Sequence, residues 1–400
     1  MPKKVRKHAD DLRAASRLAV DATTRVVDVV EEMHTTIASG PAILGRPLSG
    51  PVRLLNGVVY GSIRGVTRLV GASIEKALEP LVPLLGESAP GPEREAITAA
   101  LNGVLGDYLQ ETRSPLAIEM CLRHDGHALV LAKEALRASV PATDRVLVLV
   151  HGSSMCDLGW RRHGHDHGAA LAKDLGFTPV HLLYNSGLHV STNGRSFDAL
   201  LESLAVEWPV PLREIVLLGH SMGGLVARSA CHHADLSGDR VWRTKLTKLV
   251  TLGTPHHGAP LERGGNWVQV LLGISRYSTP IARLGKLRSA GVTDLRYGNI
   301  TDEHWEGRDR FALERDPRAE LALPRGVACY AIAASTSVEG TARLAGDGLV
   351  PVDSALGRHA RPELTLAFPE AHQKIYRGMG HLDLLDRKEV YETLRTWLGD

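Results

Sequence analysis

Ile215-Val216-Leu217-Leu218-Gly219-His220-Ser221-Met222-Gly223-Gly224 is the stretch on which the fold turns. Its first four residues are apolar and mostly branched, the pattern of a strand covered on both faces. The pentapeptide Gly219-x-Ser221-x-Gly223 follows without a spacer, and a helical run, 222–233, comes directly after it. A strand feeding a helix through so short a turn leaves no room for side chains beside the serine, which accounts for the glycines. The turn lifts the Ser221 hydroxyl above a sheet, beside the first N–H groups of a helix, where negative charge is favoured. With 40 glycines in 400 residues, chance supplies roughly 0.2 such pentapeptides in a chain of this size, so the flanking strand and helix carry the reading.

Similar apolar runs lie on either side. Val146-Leu147-Val148-Leu149-Val150 is the strongest, and Pro179–Tyr184, Leu249–Leu252, Val327–Ala333 and Leu364–Ala367 follow. Helical stretches at 168–175, 197–207 and 222–233 separate most of them, and one at 383–398 closes the fold. Strands alternating with helices predict an α/β fold, a mostly parallel sheet flanked by helices. Residues 259–325 interrupt the alternation and are expected to form a cap over the strand ends. The polar stretch from Asn185 to Ser196 reads as a loop at the entrance, with a turn at Asn193-Gly194.

Residues 1–140 read differently, as an N-terminal helical region ahead of a domain at 141–400. Leu12, Ala15, Ala19, Val26, Val30, Met33 and Ile37 recur at helical spacing. Gly57, Gly61 and Gly65 then stand four apart, a pattern that lets a second helix approach closely. Arg46, Arg53, Arg64 and Arg68 accompany them without an acidic residue between Gly40 and Ile74. Such a helix either docks on the rest of the protein with its arginines in water, or lies on an anionic lipid surface as a peripheral contact. A Pro/Gly loop, Ala89-Pro90-Gly91-Pro92, precedes a further helical stretch at 93–111.

The formal net charge of +2 argues against a nucleic-acid partner. Cys121, Cys156, Cys231 and Cys329 are scattered, as reduced thiols are, with no metal-ligand spacing. Asp10, Asp11 and Arg13 interrupt any apolar stretch after the basic start, so no secretory signal is read. A cytoplasmic location is expected, with membrane contact through the N-terminal helices as the open alternative.

Three further segments carry candidate chemistry. His151-Gly152-Ser153 follows the strand Val146–Val150, where a loop N–H, that of Ser153, joins the Met222 N–H in facing a developing oxyanion. Gly346-Asp347-Gly348 follows the strand Val327–Ala333, and Gly380-His381 lies between the last strand and the last helix. Ser221, Asp347 and His381 then stand in the chain order of a nucleophile, its orienting acid and its base. Asp353 and Asp383 are rival acids, though Asp383 suits a helix start better. His359 and His372 are rival bases without that placement.

The set VLVLVHG, GHSMGG, TLGTPHHG, GDGLVP and GMGHLDLL resembles the lipase and esterase branch of the α/β-hydrolases, closest to bacterial triacylglycerol-lipase-like proteins and the inositol-deacylase-like group. The resemblance covers roughly 141–400. It implies a nucleophilic Ser221 with acid Asp347 and base His381, supported by His151, Gly152, Gly219, His220 and Gly223 as motif residues. It also places Thr254-Pro255-His256-His257-Gly258 near the site, leading into a lid. It implies cleavage of a small-molecule or lipid ester through an acyl-enzyme, with no cofactor and no metal. Some bacterial lipases hold calcium with an acid two residues after the catalytic histidine, where Asp383 stands; Arg387 replaces the glutamine they place further along. His163, His165, Asp166 and His167 have metal-type side chains, but in a segment where solvated polar residues are normal. Two other readings remain: acyl transfer to an alcohol on the same residues, and lipid-surface binding with the hydrolase as a secondary part.

Overall fold

The computed structural model describes residues 91–259, 289–309, 316, 318–319, 321–338 and 344–399. The helix expected to carry Gly57, Gly61 and Gly65, and much of the expected cap, lie outside the described residues. Ten strands are described: β1 (Cys121–His124), β2 (His127–Ala128), β3 (Arg145–Val150), β4 (Arg161–Arg162), β5 (His165–Asp166), β6 (Thr178–Leu183), β7 (Glu214–His220), β8 (Leu246–Leu252), β9 (Ala328–Ser335) and β10 (Gln373–Arg377). The helices, in chain order, are α1 (Pro92–Glu111), α2 (Lys133–Ser139), α3 (His167–Leu175), α4 (Val190–Glu207), α5 (Met222–Ser237), α6 (Val241–Lys245), α7 (Ala290–Asp294), α8 (Val352–Ala355) and α9 (Lys388–Gly399).

Eight strands form one sheet in the order β10-β9-β8-β7-β3-β6-β1-β2. From β10 to β6 every pairing is parallel. Two layers of helix cover it, and alternation along β3 shows how. Val146, Val148 and Val150 face a core shared with Phe197 and Leu201 of α4 and Leu225 and Val226 of α5. Leu147 and Leu149 face the opposite core, with Leu171 of α3 and Leu394 and Leu398 of α9. Each such side chain, fully buried, contributes about 1.5–3 kcal/mol. The chain leaves β3 for β6 on one side and returns to β7 on the other. The carboxyl ends of β3 and β7, at this switch, are the place where sheets of this kind hold ligands.

Four expectations need correction. The run Leu364–Ala367 is not a strand: Pro362–Leu364 is a 3₁₀ turn, and the last strand is Gln373–Arg377. Leu364, Leu366 and Phe368 are buried, so the run is apolar because it packs, while Pro362 and Pro369 bracket it against entering a ladder. Residues 190–196 are not loop but the first turns of α4. Asn193 is buried there, its side chain donating to Asn185 O across 2.9 Å. The expected helix at 383–398 starts at Lys388, after a 3₁₀ turn at His381–Leu385. The part of 1–140 nearest the sheet is not helical throughout: β1 extends the sheet antiparallel to β6, and β2 pairs antiparallel with β1 at its edge. Among the described residues no helix is long and apolar enough to cross a membrane.

Candidate active site

Ser221 sits between β7 and α5 with φ 53° and ψ −126°, a conformation that side-chain-bearing residues rarely adopt. The backbone is crowded on both flanks. A Cβ on Gly219 would lie 2.6 Å from the Cα of Gly224, and one on Gly223 would lie 2.2 Å from the Val150 carbonyl oxygen. The Ser221 N–H donates to Leu252 O at the end of β8 (2.8 Å), which ties the turn to the neighbouring strand. Ser221 is 6% exposed.

His381 reaches the same place from the far end of the chain. Gly253, next after Leu252, packs against its ring: a Cβ there would come within 3.1 Å of His381 Cε1 and Nδ1. The His381 Nδ1–H donates to Asp347 Oδ2 across 2.7 Å, with both side chains buried. The other carboxylate oxygen of Asp347 accepts the N–H groups of Leu349 (2.9 Å) and Val350 (2.8 Å). A backbone bond from the His381 N–H to Asp347 O (3.0 Å) closes the pair. His381 Nε2 is buried and, among the described residues, has no hydrogen-bond partner.

The loop after β3 runs beside Ser221. A Cβ on Gly152 would lie 3.0 Å from Ser221 Cβ and 3.1 Å from His220 Nδ1, so backbone runs directly beside the serine. Ser153 comes next and is fully buried. Met222 is the first residue of α5, so its N–H belongs to the donors a helix start leaves unsatisfied. His151 stacks on Tyr184 with ring centroids 4.3 Å apart, and the Tyr184 hydroxyl donates to His151 O (2.9 Å). Burial lowers the His151 imidazole to about 4.

Buried polar atoms normally find partners. On the segments around Ser221, five do not within the described residues: His151 Nε2, Ser153 Oγ, His220 Nδ1, Thr254 Oγ1 and His381 Nε2.

Residues 202–311, about a quarter of the chain, match the model of the PGAP1-like alpha/beta domain. That segment holds β7, the Ser221 turn, α5 and β8. The chain has the α/β-hydrolase fold. Among solved structures it is similar to the mature Bacillus licheniformis lipase BlEst2 at 16% identity, over 70% of this chain and 97% of that one, with a TM-score of 0.41. It is also similar to a thermophilic esterase at 14% identity (63% and 88% covered, TM-score 0.36). The RedJ thioesterase of Streptomyces coelicolor matches at 15% identity (64% and 90% covered, TM-score 0.35). No curated protein matches in sequence.

Within this α/β-hydrolase fold the rival residues lie elsewhere. Asp353 and His359 are engaged at the surface with Arg358 and Asp316, respectively. His372 stacks on Tyr330 beyond the edge of the site. Asp383 Oδ2 accepts the Gly380 N–H (2.7 Å) at the start of the 3₁₀ turn. The histidine cluster near β5 is internally bonded: His165 Nε2 meets His167 Nδ1 (2.7 Å), His167 Nε2 meets Leu384 O (3.1 Å), and His163 bonds Asp386. It therefore braces the segment behind His381. Among the described residues the grouping of metal-type side chains is Glu95, Cys156 and Asp157, where Arg123 already bridges both carboxylates at 2.9 and 3.0 Å. His256 and His257 are likewise held, by Arg228 and by the Gly357 carbonyl.

Sequence reading gave His220 only a motif role. Its Nε2–H donates to His381 O (3.2 Å), and the two rings lie 4.7 Å apart. Burial, reinforced by His381, holds its pKa well below the usual imidazole range, so it stays neutral. Nothing in the local pattern announces a bond to a residue 161 positions away.

Proposed function

We propose that this chain is a serine hydrolase of carboxylic esters that works through an acyl-enzyme. One observation supports the reading: Asp347 holds His381 through Nδ1 and leaves its buried Nε2 unpartnered among the described residues, while Ser221 is held in a strained conformation on the turn between β7 and α5. Nδ1 keeps the proton because the carboxylate can only accept it, so Nε2 offers a lone pair.

Ser221 Oγ forms a bond to the carbonyl carbon while His381 Nε2 takes its proton. The carbonyl π pair moves onto oxygen, and the N–H groups of Ser153 and Met222 receive that charge. The oxyanion then collapses, the alcohol leaves with the proton from His381, and Ser221 remains acylated. Water repeats the sequence and releases the acid. Asp347 keeps the imidazole in the required tautomer and stabilises its protonated form without taking the proton itself.

The test is hydrolysis of p-nitrophenyl esters, acetate through palmitate, by wild type and Ser221→Ala. Loss of the nucleophile is expected to cost on the order of 10⁶ in turnover, as in a comparable serine enzyme. Equal activity in both proteins would end the assignment.

A further inference from the structure

Helix α1 precedes the sheet in sequence, yet it lies on the loops that hold the candidate site. Its central residues are Asn102-Gly103-Val104-Leu105-Gly106. Glycine inside a helix costs about 1 kcal/mol relative to alanine, so two of them three apart on one face need a reason. The structure supplies it. A Cβ on Gly103 would lie 1.9 Å from Ser154 Oγ, 2.7 Å from its Cβ and 2.8 Å from its Cα. A Cβ on Gly106 would lie 1.8 Å from Asn185 Oδ1, and one on Gly187 would lie 2.1 Å from Asn102 O. Helix backbone thus meets loop backbone after β3 and again after β6.

Ser154 is the next residue after Ser153. It sits at φ 59°, and its N–H donates to Ser186 Oγ across 2.9 Å. It is gripped by α1 on one side and by Ser186 on the other. The same helix holds the insertion after β8: Ser289 Oγ donates to Gly103 O (2.7 Å), and the Ala290 N–H donates to Asp107 Oδ2 (2.9 Å). Asn185 Nδ2 donates to Gly106 O (2.9 Å) and fixes the loop after β6.

We propose that α1 belongs to the reaction apparatus: Gly103 and Ser186 are positioning residues that clamp Ser154 and thereby aim the Ser153 N–H at the oxyanion. This rests on the reading of Ser153 and Met222 as the oxyanion donors. A cover for apolar surface would pack through side chains. The side chains of Leu101, Leu105 and Leu109 are buried, but at Gly103 and Gly106 this helix meets the loops, including the one that bears a donor, through bare backbone. Oxyanion donors act only when placed to within about half an ångström. A methyl group at Gly103 would have to push the Ser154 Cα from 2.8 Å out to ordinary contact near 3.4 Å.

Gly103→Ala and Ser186→Ala are assayed on the p-nitrophenyl ester that wild type cleaves fastest. Alongside are measured the affinity for a trifluoromethyl ketone of the same acyl chain, which forms an oxyanion adduct with the serine, and the Tm. Gly103→Ala is expected to lower kcat by ~10- to 100-fold with KM nearly unchanged, and to weaken the ketone by a similar factor. Ser186→Ala, which removes only a hydroxyl, is expected to act in the same direction and carries the test if Gly103→Ala does not fold. Adding Ser154→Gly to Gly103→Ala removes the two clashing side-chain atoms and tolerates the positive φ but leaves the Cα at residue 154 in contact, so it is expected to restore only part of the rate. The proposal is overturned if both single variants keep kcat and ketone affinity within twofold of wild type. It is equally overturned if only Tm falls while turnover per folded site holds. Ser221→Ala separates the two readings: activity retained there removes the serine assignment itself, whereas an inactive Ser221→Ala beside an unaffected Gly103→Ala removes only the role of the helix.

Discussion

His220 holds the backbone of His381: its Nε2–H donates to the His381 carbonyl oxygen across 3.2 Å, with both residues buried. The residue beside the proposed nucleophile thereby fixes the segment that carries the proposed base. A carbonyl oxygen only accepts, so the proton is on Nε2, and the depressed pKa keeps the ring uncharged next to an imidazole that must itself become charged. His220→Phe keeps an aromatic ring and loses the bond. A net hydrogen bond is worth about 0.5–1.5 kcal/mol, so kcat is expected to fall ~3- to 10-fold with little change in KM. His220→Gln, which can still donate, should recover part of that. Equal loss in both variants would point to packing instead.

Asp347→Asn separates orientation from folding. The amide oxygen can still accept the Leu349 and Val350 N–H groups that Asp347 Oδ1 accepts now. Its NH₂ group would then face His381 Nδ1 and force the opposite tautomer, with the proton on Nε2. Turnover is expected to fall about 10⁴-fold, as for the corresponding change in a serine protease, while the folded state persists. Circular dichroism and a Tm within a few degrees of wild type check the second half. Activity within tenfold of wild type would remove Asp347 from its proposed role.

Much of this architecture is legible from residues alone because its central strands are buried on both faces. β3, β7 and β9 appear as largely apolar runs for that reason, while β6 and β8 keep enough apolar residues to be read despite His181 and despite Thr247, Lys248 and Thr251. β10 escaped because Gln373-Lys374-Ile375-Tyr376-Arg377 is a half-exposed edge strand with polar side chains. The apolar run just before it, around Leu366, misled because burial does not require a ladder. The start of α4 escaped for the opposite reason: Ser191, Asn193 and Gly194 look like loop residues, but Ser191 and Asn193 are buried and bonded, and Gly194 lets the Ser229 side chain approach. The order Ser221, Asp347, His381 can be read along the chain. The contacts of Gly103 with Ser154 and of His220 with His381 cannot, since each joins segments whose approach only the folded sheet determines.

Asn102 offers a stability prediction apart from catalysis. It is fully buried in α1, donates to Leu116 O (2.7 Å) and Thr98 O (2.9 Å), and accepts the Ile118 N–H (2.9 Å). It thus pins the segment that returns from α1 toward β1. Asn102→Ala strands the Ile118 N–H and the Leu116 carbonyl in the interior, at a cost of about 1–3 kcal/mol. A Tm lower by ~2–10 °C is expected, read by calorimetry. An unchanged Tm would mean that this part of α1 contributes nothing to the cooperative unit.

Acid should destabilise the fold well before its carboxylates titrate. Burial is the first cause at His151, His167, His257 and His304, and each is lowered to about 4. An unfolded histidine titrates near 6.5. Between those values the unfolded chain binds more protons than the folded one, so stability rises with pH across the interval. The contribution is complete above about 6.5, declines as pH falls, and is gone below about 4, where both states are protonated. Urea midpoints measured at pH 7, 6, 5 and 4.5 are therefore expected to fall monotonically, with the steepest loss below 6. His167→Gln should make that decline shallower, because one buried imidazole no longer has to stay neutral. A midpoint that held level or rose between pH 7 and 5 would contradict the burial of these rings as neutral groups.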